Sequence, residues 1–180
     1  MSNFNFRTPL SMRGRRNLGA RGFSGKPSHP PLTDIPTAAY AFVAVFDVLS
    51  FVLHDGHPEL GLELYRAATW VFLGGAAVSL LAALTGFLDW RRTPRGTELR
   101  RTANAHAVTM LVVTALVLVN LVLRLTSYDD EQHTGPVIVA LSVVAGLLTV
   151  LGAAIGGSLV FDHGMRVEGD DSSGTDAGQD

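Results

Sequence analysis

The 180-residue sequence contains no cysteine, and only one of its fourteen basic residues is lysine (Lys26). Without cysteine the chain holds neither a disulfide nor a cysteine-ligated zinc or iron–sulfur site. Charge is also scarce, since 17% of the residues are charged and 47% are apolar. Soluble domains carry about 25% charged residues, so the composition favours a membrane protein. Arginine in place of lysine, with abundant Ala, Val, Leu and Gly, is typical of a GC-rich bacterial genome.

Four apolar runs occupy about half of the chain. The last three contain no Asp, Glu, Lys or Arg, and the first contains only Asp47. A helix of about 20 apolar residues crosses the ~30 Å hydrocarbon layer, and two of the runs are apolar around their whole circumference, unlike the amphipathic helices of soluble domains. The sequence therefore predicts an all-α integral membrane four-helix bundle. The predicted spans are residues 35–53, 67–88, 105–124 and 137–161, within a membrane domain of residues 29–167.

The basic residues predict the orientation of the bundle. Only Arg66 and Arg124 fall on the side that holds the first and third connections, and the other twelve share the side of the two termini and the second connection. By the positive-inside rule, the sequence predicts an N-in/C-in, multi-pass protein of the bacterial inner membrane. The twelve are Arg7, Arg13, Arg15, Arg16, Arg21, Lys26, Arg91, Arg92, Arg95, Arg100, Arg101 and Arg166.

Both ends of the chain have the composition of disordered segments. Residues 1–28 mix Arg, Gly, Ser and Asn without periodicity, which predicts a disordered basic cytoplasmic arm. We expect this arm to touch anionic membrane lipids and not nucleic acid. Residues 168–180 predict a disordered acidic tail.

Polar residues inside the predicted spans form a stripe on the first helix and another on the third. Asp47 lies on the first stripe with Tyr40, and Asn120 and Arg124 lie on the other, at a similar depth. A charged residue inside a membrane needs a partner. We therefore predict a structural pair of Asp47 with Arg124, assisted by Asn120 or Tyr40. A proton-relay role for Asp47 is the functional alternative.

Three of the six histidines fall at one predicted membrane surface, the cytoplasmic one. They are His29 before the first span, His106 at the start of the third and His163 after the fourth, and Asp89 and Asp162 lie at the same level. Imidazole is the commonest metal ligand in proteins and an axial ligand of haem, and a neighbouring carboxylate can fix its tautomer. The sequence therefore offers the three histidines as ligands of haem b or of a transition metal ion, with the two aspartates as supporting partners.

These motifs resemble a family. The similar positions are His29-Pro30, Asp34-Ile35-Pro36, Thr85-Gly86-Phe87-Leu88-Asp89-Trp90, His106 with Asn120 and Arg124, and the run Gly156-Gly157-Ser158-Leu159-Val160-Phe161-Asp162-His163-Gly164. In this order, over about residues 29–167, they resemble the bacterial membrane family called domain of unknown function 2231. One departure is Ile35-Pro36, where that family commonly has Phe-Pro.

The resemblance implies a four-span bundle without an established activity. Members of that family sometimes accompany, or are fused to, Rieske-type iron–sulfur domains, which implies redox work at the membrane. The family's motif positions fall on His29, Asp89, His106, Asp162 and His163. Because this chain has no cysteine, any Rieske-type partner would be a separate protein.

Three functions follow from these observations. The first is a haem- or metal-binding protein of membrane electron transfer. The second is a non-catalytic membrane subunit or scaffold, and the third is a small-solute or proton transporter that uses the level of Asp47. Enzymatic catalysis has little support, because the sequence has no activated Ser or Cys arrangement and no glycine-rich phosphate loop. A homo-oligomer is compatible with the sequence.

Overall fold

The computed structural model describes residues 27–165, which contain four long helices. Each helix is long and apolar enough to cross a membrane, which confirms the predicted all-α, four-helix class. The predicted basic arm and acidic tail lie outside the described residues, except for Pro27 and Ser28. The helices are α1 His29–Leu53, α2 Pro58–Arg91, α3 Glu98–Thr126 and α4 Pro136–Phe161.

Each helix begins at a recognisable start signal. In α1, α2 and α4 a proline occupies one of the first two positions, where its missing N–H leaves no intrahelical hydrogen bond unmade. In α3 the hydroxyl of Thr97 accepts a hydrogen bond from the backbone N–H of Arg100 at 3.2 Å, which is an N-cap. Gly96, just before it, has a φ of 78°, so the short α2–α3 connection needs a residue that tolerates the left-handed region.

The helices pack as an antiparallel bundle in which each helix contacts its neighbours in the chain. The contacts join α1 to α2, α2 to α3, α3 to α4, and α4 back to α1. Within the described residues, α1 and α3 are therefore diagonal partners, and so are α2 and α4. The first half of the chain forms one hairpin (α1–α2) and the second half forms another (α3–α4), so a side chain of α1 that meets one of α3 does so across the middle of the bundle.

Large apolar side chains cover the outside of the bundle, and smaller ones fill its centre. Leu111 is 69% exposed and Leu147 is 67% exposed, which a soluble protein would not tolerate over whole helices but a lipid-facing surface requires. The centre is filled by side chains that include Val43, Val113 and Val117, none of them more than 1% exposed. The outward-facing leucines and the buried valines together fit a bundle whose solvent is lipid.

The two ends of the bundle carry different chemistry. One end, where α1 and α3 begin and α2 and α4 finish, holds His29, His106 and His163, and we call it the histidine end. The opposite end holds the buried polar residues Asp47 and Arg124, and we call it the ion-pair end. Along α3, His106 and Arg124 are separated by 18 residues, which at the rise of an α-helix is about 27 Å.

Candidate functional site

His29 lies at the start of α1 and is held against the last turns of α2. Its Nδ1 is 2.8 Å from the carbonyl oxygen of Ala82. A carbonyl only accepts, so Nδ1 carries the proton and donates it. One turn further along α2, Gly86 leaves space for the ring: a Cβ at this position would lie 2.7 Å from Cε1 of His29. The imidazole therefore needs a glycine beneath it.

His106 in the second hairpin repeats this arrangement. Its Nδ1 is 2.9 Å from the carbonyl oxygen of Gly152 on α4. One turn later, a Cβ at Gly156 would lie 3.2 Å from Cε1 of His106. In each hairpin, a histidine in the first part of the first helix donates to a carbonyl in the later part of the second helix. Its ring packs against the glycine four positions after that carbonyl.

The two histidines meet across the diagonal of the bundle. The ring centroids of His29 and His106 are 6.3 Å apart, and the ring planes are inclined at 84°. Both rings are half-buried. Since each Nδ1 donates to a backbone carbonyl, Nε2 is the ring nitrogen whose lone pair suits a metal.

The other residues predicted for this site lie elsewhere at the histidine end. Nε2 of His163 is 3.0 Å from the hydroxyl of Thr102, one turn before His106 on α3. Asp89 is buried near the end of α2, and Asp162 is exposed. Within residues 27–165 no group of three His, Asp or Glu side chains is arranged to hold a metal ion. Of the three predicted histidines, the structure brings His29 and His106 together, and His163 bonds to Thr102.

Arg124 joins all four helices at the ion-pair end. Its guanidinium forms an ion pair with Asp47 of α1, and both side chains are fully buried. Nε donates to Oδ1 of Asn120 at 2.7 Å, and Nη1 donates to the hydroxyl of Thr69 on α2 at 3.2 Å. Nη2 is also 3.4 Å from the hydroxyl of Ser142 on α4. All four helices thus supply an oxygen acceptor to this arginine, including α3, to which it belongs.

Asp47 is equally well bonded. One carboxylate oxygen accepts from Arg124 and from the hydroxyl of Ser142. The other accepts from the hydroxyl of Thr134 at 3.1 Å. The backbone N–H of Thr134 donates to the hydroxyl of Ser50, so the α3–α4 connection is tied to α1 at the same level. The carboxylate thus has three donors, and the cation Arg124 is one of them, as a charge at this depth requires.

Sequence reasoning identified Asp47, Asn120 and Arg124 but missed the hydroxyls around them. The hydroxyl of Thr69 donates to the carbonyl four residues earlier in its own helix, and the hydroxyl oxygen of Ser142 lies 2.8 Å from the corresponding carbonyl oxygen, as isolated Thr and Ser in apolar helices commonly do. Nothing in the sequence separates them from such residues. Tyr40, predicted as a helper, instead packs edge-on against Phe72, with ring centroids 5.3 Å apart.

Sequence reasoning also missed the repeated histidine arrangement. The available signal was a pair of small residues four apart near the end of each second helix, namely Ala82 with Gly86 and Gly152 with Gly156. Small-xxx-small pairs are usually helix-packing motifs. Here each pair contacts the histidine of the preceding helix: the carbonyl of the first residue accepts its hydrogen bond, and the glycine leaves space for its ring.

Comparison with known proteins identifies a family. The family model described as a predicted membrane protein, domain of unknown function 2231, matches residues 25–169. No curated protein and no solved structure matches the chain. The matched region contains all four helices, both histidines of the diagonal pair and the Asp47–Arg124 ion pair. This four-helix membrane protein belongs to the domain of unknown function 2231 family.

Proposed function

We propose that the protein binds one haem b, with His29 and His106 as the two axial ligands, and carries electrons at the membrane. The observation that supports this proposal is the diagonal histidine pair. Two imidazoles bound on opposite sides of one metal, each at about 2 Å, have ring centres about 6 Å apart. The 6.3 Å separation of the two rings fits that requirement.

The number of ligands favours haem over a bare metal ion. A metal ion in a protein usually takes at least three protein ligands, and residues 27–165 contain no such group. Haem would need only two ligands from the protein, and His29 and His106 would supply them. Four-helix bundles commonly build cofactor sites from side chains on facing helices.

The residues around the pair suit axial ligands. The carbonyl oxygens of Ala82 and Gly152 fix the ring tautomers and raise the basicity of the ligating nitrogens. Gly86 and Gly156 keep side chains away from the two rings. When bound, haem supplies a one-electron couple between ferric and ferrous iron. The protein's part is to hold the rings, tune the couple and exclude water.

We also propose that the histidine end faces the cytoplasm in a bacterial inner membrane. The α2–α3 connection and the helix ends beside it carry four exposed arginines, Arg91, Arg92, Arg95 and Arg101. Basic connections stay on the cytoplasmic side. Membrane lipids surround the helices in this arrangement. A separate redox protein, of the Rieske type that the family resemblance implies, would exchange electrons at this face.

Absorption spectroscopy tests the haem proposal. The protein is purified in mild detergent from cells supplied with a haem precursor, and haem is quantified per protein chain. We expect a Soret band, the split α and β bands of a bis-histidine haem on reduction, and one haem per chain. His29→Ala and His106→Ala each abolish this spectrum. His163→Ala and His133→Ala serve as matched controls and retain it.

Two results would overturn the haem proposal. One is a wild-type protein that takes up no haem even after reconstitution with hemin. The other is an unchanged bis-histidine spectrum in either His29→Ala or His106→Ala.

A non-catalytic scaffold is the second candidate. Each histidine joins the two helices of its own hairpin through a side-chain hydrogen bond, and such a clamp needs no cofactor. A defined partner that co-purifies with both wild type and His106→Ala would favour this role.

Transport through the level of Asp47 has less support, because the carboxylate is already bonded on both oxygens. If Asp47→Asn leaves the proton flux in liposomes unchanged, the transporter hypothesis is wrong.

A further inference from the structure

The surroundings of the two histidines differ at the residue three positions after the carbonyl that accepts from each ring. In the first hairpin, the hydroxyl oxygen of Thr85 lies 3.3 Å from Nδ1 of His29. Thr85 follows Ala82 by three residues, and the matching residue after Gly152 in the second hairpin is Ile155. His29 therefore has a hydroxyl beside its Nδ1, whereas the corresponding position in the hairpin of His106 carries an aliphatic side chain.

The direction of the Thr85 hydrogen bond follows from its neighbours. Nδ1 of His29 carries a proton, because it donates to the carbonyl of Ala82. Towards Thr85 it is therefore again a donor, and the hydroxyl oxygen is the acceptor. The hydroxyl proton of Thr85 has its own acceptors, the carbonyl oxygens of Leu81 and Ala82, each at 3.0 Å. The Nδ1–H of His29 is thus shared between two oxygens.

We propose that Thr85 is a positioning residue that makes the two axial ligands unequal, with His29 as the more electron-rich imidazole. This inference rests on the proposed haem site and names a residue that tunes it. A second acceptor on the Nδ1–H raises the basicity of the imidazole. A more basic axial ligand stabilises ferric over ferrous iron and lowers the reduction potential.

The test is the midpoint potential of the purified, haem-loaded protein, measured by spectroelectrochemical titration. Thr85→Val keeps the shape of the side chain and removes the hydroxyl, so we expect the potential to shift to more positive values. Thr85→Ser keeps the hydroxyl and is expected to stay close to wild type. Ile155→Thr adds a hydroxyl at the matching position beside His106 and is expected to shift the potential to more negative values.

The outcomes separate this inference from the haem proposal. A wild-type protein without a bis-histidine spectrum overturns the haem site itself. If Thr85→Val keeps that spectrum and its potential stays unchanged or falls, the haem site stands and the role of Thr85 is wrong. If Thr85 has only a structural role, Thr85→Val and Thr85→Ser both bind less haem, and Thr85→Val and Ile155→Thr do not shift the midpoint potential in opposite directions. That result also overturns the inference.

Discussion

Asp47 and Arg124 are 77 positions apart in the sequence and form an ion pair in which neither side chain has any exposed surface. The pair links α1 to α3 across the diagonal of the bundle, and hydroxyls from α2, α4 and the α3–α4 connection complete its hydrogen bonds. Each partner therefore depends on the other to be tolerated at this depth.

Removing one member of this pair should destabilise the protein strongly. Arg124→Gln leaves the Asp47 carboxylate buried without a cation, and Asp47→Asn leaves the guanidinium without an anion. The loss of one partner of a buried pair costs about 3–5 kcal/mol, to be measured as the free energy of unfolding in mixed detergent and dodecyl sulfate micelles.

A control and a double variant make this prediction specific. Thr149→Val removes a buried hydroxyl that bonds to the carbonyl of Ala145 in its own helix, and we expect a cost of about 0.6 kcal/mol. The double variant Asp47→Asn, Arg124→Gln should cost less than the sum of the single variants. Wild-type stability in Asp47→Asn would contradict the prediction.

Adjacent glycines on α2 should respond in opposite ways to alanine. A Cβ at Gly75 would lie 2.7 Å from Cβ of Ala39 on α1, whereas a Cβ at Gly74 meets nothing within 4 Å. Gly75→Ala should therefore separate α1 from α2 and cost about 1–3 kcal/mol. Gly74→Ala should be neutral or stabilise the helix by up to about 1 kcal/mol. Thermal unfolding in detergent compares the two, and equal melting temperatures would refute the expected close approach.

The glycines beneath the histidines should not be equally sensitive. Gly86→Ala would bring a Cβ to 2.7 Å from the His29 ring, against 3.2 Å for Gly156→Ala and His106. We expect Gly86→Ala to displace its imidazole and lose most of the haem, and Gly156→Ala to retain more of it. Haem content per chain after reconstitution measures the difference. Higher occupancy in Gly86→Ala than in Gly156→Ala would contradict this order.

Cysteine labelling can test the orientation without background, because the chain has no cysteine of its own. Arg95 in the α2–α3 connection and Asp130 in the α3–α4 connection are both exposed. In spheroplasts, a membrane-impermeant maleimide should label Asp130→Cys and leave Arg95→Cys unlabelled until the cells are lysed. The reverse pattern would place the histidine end outside.

The membrane fold was predictable because it depends on composition along the chain. Runs such as the one from Ala107 to Leu123 contain no charge, and lipid permits few structures for them besides a helix. The helix ends were less predictable: α2 begins at Pro58 and α3 at Glu98, before their apolar runs, because capping and proline set the ends independently of hydropathy.

The sequence predicts which end of the bundle holds the candidate site, but not which way its side chains point. Topology brings His29, His106 and His163 to one end of the bundle, yet the direction of a side chain around that end depends on helix rotation and on the chain after the last turn. His163 follows the end of α4, where Gly164 has a φ of 59°, and it bonds to Thr102. His29 and His106 lie within helices whose packing turns them toward each other.

The ion-pair network also bears on how the protein is made. Ribosomes add about 5–20 residues per second, so Arg124 is synthesised roughly 4–15 s after Asp47. During that interval α1 carries a carboxylate that has neither its cation nor the hydroxyls of Thr134 and Ser142. Because an unpaired charge is costly inside a membrane, we expect the first helix to stay at the insertion machinery until the second hairpin has been made.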